Sequence, residues 1–384
     1  MALRTDLIAP TAMTAPLRPL TARGRVARRV PGACGGRRAA RLLASGGLAA
    51  GILALALPRV AGAEWSQIAA ALGGLGFAQL ALLTVVWLAG LWAQTPALTA
   101  ALPGLSHRRA LLLNLTGSFV SNLLPLGGAA GTVANWRMAR SWGFTTTAFS
   151  RWAVLTNLVD TLLKLVFPGL ALVWLAAAGV ETQGSVGTAA WVGLGLLTAA
   201  GLVVWLVARD DRAVHWLGRV ADRVVVRVRF VRPPVEGYAA RAAAFRRDSA
   251  TLVASGWGRM LGGKLAYSVL QAVLLWMCLR MLGVSVHSAV VAAAFAVERI
   301  LTMLALTPGA TGFVELGMVG VLVAFHVEPT TAAAGVLLYR AFIFGAEIPV
   351  GGLSMLAWSL RRRPAVPVAP VGAPAVRVFG GSGG

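Results

Sequence analysis

Ionisable and amide side chains lie within apolar stretches of this chain, and their types limit the chemistry they can perform. An ionised group at membrane depth costs at least a few kcal/mol, so such groups usually face a protein interior or a wet cavity and pair with one another. They could form ion pairs, bind a charged group or carry a proton. These residues are Asn122, Asn135, Arg137, Arg140, Arg151, Asp160 and Lys164 in the first half, and Glu298, Arg299, Glu315, Arg340 and Glu347 in the second.

The spacing of some of these residues predicts how they pair. Asp160 and Lys164 are four residues apart and form an i,i+4 pair on a helix. This pair is either a structural salt bridge or a site for substrate or a proton. Glu298 and Arg299 are adjacent, and adjacent helical residues do not face each other. We therefore expect each of them to have its partner elsewhere.

Glu315 follows a glycine, Gly312, by three residues, at a point where unwound backbone would line a cavity. It is therefore a candidate for binding substrate or a proton. Arg340 is the predicted partner of Glu315 or of Glu298.

Arg137 and Arg140 lie one helical turn apart. They either anchor a cytoplasmic helix end or form a phosphate cradle, because guanidinium groups bind phosphate oxygens in pairs and exposed backbone N–H groups add to the attraction. In the second case Arg151 is a candidate to join them from the next helix.

Two apolar segments broken by glycine and proline position these groups. The first runs from Asn122 through Gly128, and the second is centred on Gly312. The distance from Gly128 to the triplet Thr146, Thr147, Ala148 equals the distance from Gly312 to Thr330, Thr331, Ala332. Matched breaks in the two halves of a membrane protein point to a transport site at a repeat interface.

Composition predicts an all-α polytopic membrane bundle. Hydrophobic residues make up 58% of the 384-residue chain and charged residues 12%, which leaves too little polar surface for a soluble globule. No stretch alternates as a membrane barrel strand would. The apolar runs that approach the roughly 20 residues of a spanning helix are 75–98, 152–180, 188–208, 263–282, 288–306 and 332–359.

The arginines predict the domain organisation and topology by the positive-inside rule. Parity then gives two inverted repeats with about eight to ten membrane-embedded helices, and 111–142 and 308–326 are candidate re-entrant or broken elements. Both termini are expected in the cytoplasm at the inner membrane of a cell. The predicted parts are a basic tail (1–41), a first membrane half (42–208), a basic amphipathic linker (209–258), a second membrane half (259–360) and a C-terminal tail (361–384).

Other readings of the composition are weaker. The apolar run 42–57, followed by Ala61, Gly62 and Ala63, could be a cleaved signal peptide, but the long basic region before it favours a retained first helix. The net charge of +22 is explained by membrane topology rather than by nucleic acid. Cys34 and Cys278 predict neither a disulfide framework nor a metal site. No catalytic motif is present, so we expect no catalytic residue, no cofactor and no enzyme activity.

The motifs resemble a known family. SNLLPLGGAAG at 121–131 is followed by Gly143, Phe144 and the Thr-Thr-Ala triplet, then by PGATGFVELG at 308–317 and LLYR at 337–340. In this order, and with the helical Asp160, they resemble the flippase-like membrane domain of bacterial lysylphosphatidylglycerol synthases and their stand-alone relatives. The resemblance covers about residues 42–360.

Two departures limit what the resemblance implies. Many relatives have Gly-Glu-x-x-Arg at the first break, where this chain has Gly131-Thr132-Val133-Ala134-Asn135-Trp136-Arg137. No soluble aminoacyl transferase domain is expected after 363, so aminoacyl-tRNA-dependent activity is not implied.

The expected function is binding or translocation of an anionic phospholipid or a polyprenyl phosphate between the two halves. Asp160, Glu298 or Glu315 would be available to carry a proton. Two alternatives remain open: a non-transporting accessory subunit of a partner transferase, and a membrane-embedded enzyme acting on lipid-linked sugars. The candidate binding residues are Asn122, Gly128, Arg137, Arg140, Asp160, Glu298, Gly312, Glu315 and Arg340.

Overall fold

The computed structural model describes residues 64–124, 127–180, 237–303 and 307–361, with isolated positions at 51, 54, 55, 195 and 198. The predicted tails, the run 188–208 and most of the linker lie outside the described residues. The described part is helical, without a strand. Its helices are α1 Trp65–Gly73, α2 Phe77–Ala93, α3 Thr95–Ala101, α4 His107–Leu123, α5 Gly128–Ser141, α6 Thr146–Ala177, α7 Gly237–Met281, α8 Ser288–Leu301, α9 Phe313–Ala324, α10 Pro329–Arg340 and α11 Glu347–Arg361.

Four helical stretches in the described part are long and apolar enough to cross a membrane, which confirms the predicted helical membrane bundle. They are Phe77–Ala101, Thr146–Ala177, Ser255–Met281 and Pro329–Arg361. Large apolar side chains remain exposed on them, including Phe77, Val85 and Leu353. Such a surface is suited to contact with lipid chains, whereas a soluble protein rarely leaves extensive apolar surface uncovered.

The run 288–306 does not form the near-complete span that its length predicted. Helix α8 has 14 residues and ends at Leu301, so it is about 21 Å long against a hydrocarbon core of about 30 Å. Its last turn carries Glu298 and Arg299, which are both buried in the protein. Helices α4, α5 and α9 are also short, with 17, 14 and 12 residues.

Both breaks interrupt the helices where glycine and proline predicted. Helix α4 ends at Leu123 and α5 begins at Gly128. After α8, a 3₁₀ turn at Pro308–Ala310 precedes α9. Gly309 and Gly312 have φ angles of 60° and 92°, in the left-handed region that favours glycine. A Cβ at Gly309 would also overlap the ring of Phe344.

The matched Thr-Thr-Ala triplets mark two equivalent helix starts. In the first half, Thr145 accepts a hydrogen bond from the Ala148 N–H and caps α6. In the second half, the Glu328 carboxylate accepts from the Thr330 and Thr331 N–H groups and caps α10. Desolvation raises the pKa of Glu328, but these hydrogen bonds outweigh it and lower the pKa overall. The repeated spacing therefore includes a structural signal for where each long helix begins.

The helix contacts of the two halves are equivalent. Helix α4, before the first break, packs on α5 and on α11 of the other half. Helix α8, before the second break, packs on α9 and on α6 of the other half. Each helix that precedes a break therefore packs against the long helix that follows the other break. The halves are interlocked, and the inverted orientation in the membrane stays a prediction.

Helix α7 crosses the predicted boundary between linker and second half. It is continuous over 45 residues from Gly237 to Met281, so the boundary at 258–259 falls inside it. It packs against α2 and α3 of the first half. A Cβ at Gly263 would come within 2.9 Å of the Ala97 backbone nitrogen. Small residues at such crossings let membrane helices approach closely.

Candidate functional site

A polar cavity of about 400 Å³ lies between elements of both halves. Both breaks contribute backbone to its wall, through Gly127 and Gly128 from the first and Gly309 and Ala310 from the second. Non-helical backbone at membrane depth is tolerated where it lines a cavity or is buried in protein. The polar side chains of the wall are Gln94, Asn114, Ser121, Asn122, Asp160, Lys164, Lys264, Tyr267, Gln271, Glu298, Arg299, Thr302, Thr307, Arg340 and Glu347.

On one part of the wall, Asp160 lies between two lysines. Lys164 Nζ is 3.3 Å from Asp160 Oδ2, which confirms the predicted i,i+4 pair. Lys264 Nζ of α7 is 3.5 Å from Asp160 Oδ1. The chain contains only these two lysines among its 35 basic residues, and both contact the same carboxylate. The sequence interpretation missed the contact with Lys264, which is 100 residues after Lys164.

Arg340 stabilises the second break by hydrogen bonds to a side chain and to the backbone. Its Nε donates to Glu315 Oε1 at 2.7 Å and its Nη2 donates to the Gly309 carbonyl at 2.9 Å. Its Nη1 lies 4.0 Å from Glu298 Oε1, so both predicted carboxylate partners are confirmed. The guanidinium also lies over the ring of Phe344, 5.1 Å from its centroid.

Glu315 acts on backbone as well as on Arg340. Its Oε2 accepts a hydrogen bond of 2.6 Å from the Gly312 N–H at the start of α9. The residue is 2% exposed and is not among the residues that line the cavity. Glu315 and Gly312 therefore stabilise the break from outside the cavity wall. Arg340 contacts Glu315 and also lines the cavity.

The expectation that Glu298 and Arg299 do not contact each other is wrong. Arg299 Nη2 lies 2.8 Å from Glu298 Oε1. Both side chains are long enough to bend into the same cavity near the end of α8, which overrides the angular separation of neighbouring helical positions. Each also has a further partner, as expected. Tyr339 donates to Glu298 Oε2 at 2.7 Å, and Arg299 Nη1 donates to Gln271 Oε1 at 3.0 Å.

Glu347 lines the cavity without a close cation. It is 4% exposed and begins α11, directly after the π-helical segment Ala341–Ala346. No Lys or Arg nitrogen of the described residues lies within 4.0 Å of its carboxylate. π-Helical segments inside α-helices are frequent at functional sites.

The remaining predicted site residues divide into two groups. Asn122 and Gly128 line the cavity. Arg137 and Arg140 are exposed on α5 and are not on the wall, and Arg140 Nη1 donates to the Phe144 carbonyl at 3.1 Å. Arg151 is also absent from the wall. The structure therefore does not bring the predicted arginine cradle to the cavity.

Asn135 has a packing role between α4 and α5. It is 9% exposed, and a Cβ at Gly117 would come within 2.6 Å of its Nδ2. The sequence interpretation missed Gln94, Asn114 and Gln271 on the wall. Their only sequence signal is an amide within an apolar helix, which is weaker than a charge because an amide is cheaper to bury.

These features define an integral membrane protein with two interlocked helical halves around a charged cavity. Residues 41–351 match the family described as lysylphosphatidylglycerol synthase TM region, and the chain belongs to this family. The family connects the chain with membrane lipids and with their modification or flipping. No curated protein matches the chain.

Proposed function

We propose that the protein binds and translocates a phospholipid or a polyprenyl phosphate, with the headgroup in the cavity and the hydrocarbon chains in the bilayer. The observation that carries this proposal is the charged cavity between the two halves, to which both helix breaks contribute backbone. In other transporter folds, substrate sites lie where broken helices of two repeats meet. We place the protein in the cell membrane with both termini in the cytoplasm.

The charges on the wall suit reversible binding of an anion. Lys164, Lys264, Arg299 and Arg340 each lie within 4.0 Å of a carboxylate. A headgroup phosphate that enters must compete with these carboxylates for the cations. Tight binding would prevent release of the lipid. When the carboxylates replace the phosphate as partners of the cations, the lipid can leave. The wall therefore offers positive charge without a strong net attraction.

The role of Arg340 follows from its position between the break and the cavity. A phosphate that replaced Glu298 near Nη1 would leave the Nε contact with Glu315 in place. Binding would then be sensed at Gly309, whose carbonyl accepts from the same guanidinium. In this proposal the protein moves lipid without making or breaking covalent bonds, so it is not an enzyme.

Lipid movement in proteoliposomes tests the proposal. Fluorescent phosphatidylglycerol and a polyprenyl phosphate analogue are supplied to the intact protein and to the variants Arg340→Ala and Glu315→Gln. We expect movement of at least one lipid by the intact protein and its loss in both variants. Arg137→Ala is the matched control, because Arg137 is exposed outside the cavity. If the intact protein moves neither lipid, the proposal is contradicted.

A non-transporting accessory subunit is the second candidate function. The observation in its favour is the family description, which names the membrane region of a synthase. In that case a partner transferase would deliver or receive lipid at the cavity. Co-purification of a stoichiometric transferase, together with inactivity of the isolated chain in the vesicle assay, is the expected result.

A further inference from the structure

Three buried side-chain donors on the cavity wall have no hydrogen-bond partner within the described part of the chain. They are Gln94 Nε2, Asn114 Nδ2 and Arg299 Nε. Gln94 is 1% exposed and Arg299 is 8% exposed. A buried donor left unpaired costs about 1–3 kcal/mol, so three of them on one wall indicate that something else occupies their hydrogen bonds.

The three donors come from different elements. Gln94 lies at the junction of α2 and α3, Asn114 lies on α4 and Arg299 lies near the end of α8. Arg299 is held in place on three sides, because its Nη1 donates to Gln271, its Nη2 pairs with Glu298 and its guanidinium lies over Phe295. Its Nε is therefore fixed in place while it has no hydrogen-bond partner among the described residues.

The chemistry of these groups selects the ligand. Among the buried, unpaired side-chain atoms that line this cavity in the described part of the chain, the only acceptor is Glu298 Oε1, and it lies in an ion pair with Arg299. The group that fits must accept several hydrogen bonds and need not donate any. The non-bridging oxygens of a phosphate meet this requirement, because they accept hydrogen bonds and donate none.

We propose that Gln94, Asn114 and Arg299 form a phosphate-oxygen subsite of the cavity, in which two neutral amides and one guanidinium Nε hold the headgroup phosphate. This inference rests on the proposed function and names the side chains that recognise the lipid. Amide donors bind phosphate oxygens without adding a positive charge. The subsite therefore increases selectivity for phosphate while the cavity keeps its balance of charges.

Binding to the full chain in nanodiscs tests the subsite. The probes are dioctanoyl phosphatidylglycerol, dioctanoylglycerol with the same chains and no phosphate, and inorganic phosphate without chains. The variants Gln94→Met and Asn114→Leu remove one donor each and keep the approximate size of the side chain. Asn157→Leu is the matched control, because the Asn157 amide is exposed and already donates to the Ala153 carbonyl.

We expect the intact protein to bind the phospholipid more tightly than dioctanoylglycerol. Each donor variant should weaken phospholipid binding about tenfold, as expected for loss of a hydrogen bond to a charged group, and leave dioctanoylglycerol binding unchanged. Gln94→Glu, which replaces the donor amide with a carboxylate of the same shape, should weaken phospholipid binding further. If inorganic phosphate at millimolar concentration displaces the phospholipid, the subsite binds the phosphate group by itself. If it does not, binding also requires the lipid chains.

The outcomes separate the two proposals. Equal binding of phospholipid and dioctanoylglycerol by the intact protein would overturn recognition of a phospholipid phosphate, and with it the proposed movement of phospholipid. Preference for the phospholipid that survives in Gln94→Met, Asn114→Leu and Gln94→Glu would overturn the subsite alone, and the donors would then bind only water. Thermal unfolding followed by tryptophan fluorescence establishes that each variant is folded. If Gln94→Met or Asn114→Leu does not fold, the binding measured with Gln94→Glu decides the test.

Discussion

At the scale of single residues, Glu347 differs from the other carboxylates of the cavity. Asp160 and Glu298 each lie within 4.0 Å of a cation, while Glu347 has no such partner among the described residues. Arg299 and Arg340 therefore act on it only from beyond ion-pair distance. An anionic headgroup that enters the same cavity must approach this charge.

Replacement of this carboxylate should strengthen the binding of anionic lipid. At a separation of about 10 Å and an effective dielectric constant of about 20, a full negative charge would oppose an anion by roughly 1.7 kcal/mol, which is the upper limit of the effect. We expect Glu347→Gln to tighten phosphatidylglycerol binding in nanodiscs by up to about tenfold. Glu328→Gln is the control, because Glu328 is exposed outside the cavity. Unchanged or weaker binding in Glu347→Gln would show that the carboxylate does not oppose the ligand.

The sequence predicted charged residues better than it predicted their partners. Asp160 with Lys164 follows from helical spacing, whereas the sequence left the partner of Arg340 open between Glu315 and Glu298. The contact of Lys264 with Asp160 joins residues 104 positions apart, and no local pattern contains that information. Arg137 and Arg140 have the right chemistry for phosphate but lie on an exposed face, which spacing within one helix could not reveal.

At the scale of elements, the second break combines unusual backbone with a packed aromatic ring. Gly309 has φ 60°, and a Cβ there would overlap Phe344, which lies under the Arg340 guanidinium. The turn therefore requires glycine for two independent reasons. The position of each break could be predicted from glycine and proline, whereas the shape of the turn depends on Phe344 and Arg340 from another part of the chain.

Alanine at this position should disturb the turn and the site together. We expect Gly309→Ala to lower stability by about 1–3 kcal/mol, from backbone strain and overpacking, and to slow lipid movement in vesicles. Gly320→Ala is the matched control on α9, because its Cβ would meet no atom within 4 Å and alanine favours a helix by about 0.5–1 kcal/mol over glycine. Equal thermal stability and equal transport rates in the two variants would refute this account of the turn.

At the scale of the whole molecule, the contacts between the halves rely on close helix crossings. Helix α11 lies against α4 at Gly351, where a Cβ would overlap the Leu115 carbonyl and come within 2.6 Å of the Phe119 Cβ. This is one of the two equivalent contacts between a broken helix and the long helix of the other half. The all-α class was predictable from composition, but the partner of each helix depends on such crossings and was not.

A larger side chain at this crossing should separate the halves. We expect Gly351→Val to lower the unfolding temperature and to abolish lipid movement, since overpacking in a close crossing costs about 1–3 kcal/mol or more. Gly258→Val provides the comparison, because Gly258 is exposed and has no atom within 4 Å of a Cβ. Tryptophan fluorescence during heating measures both variants. A wild-type transition in Gly351→Val would show that the halves do not depend on this contact.

The sharing of Asp160 between Lys164 and Lys264 has a consequence for how the chain can change through evolution. Lys164 lies on the helix of Asp160 and Lys264 lies on α7. The negative charge of Asp160 is therefore compensated by one lysine from each half. Loss of Lys264 alone would leave the carboxylate with half of its compensation, and loss of Asp160 would leave two ammonium groups unopposed. Substitutions at these three positions should therefore appear together among homologues, and neither half can drift independently of the other.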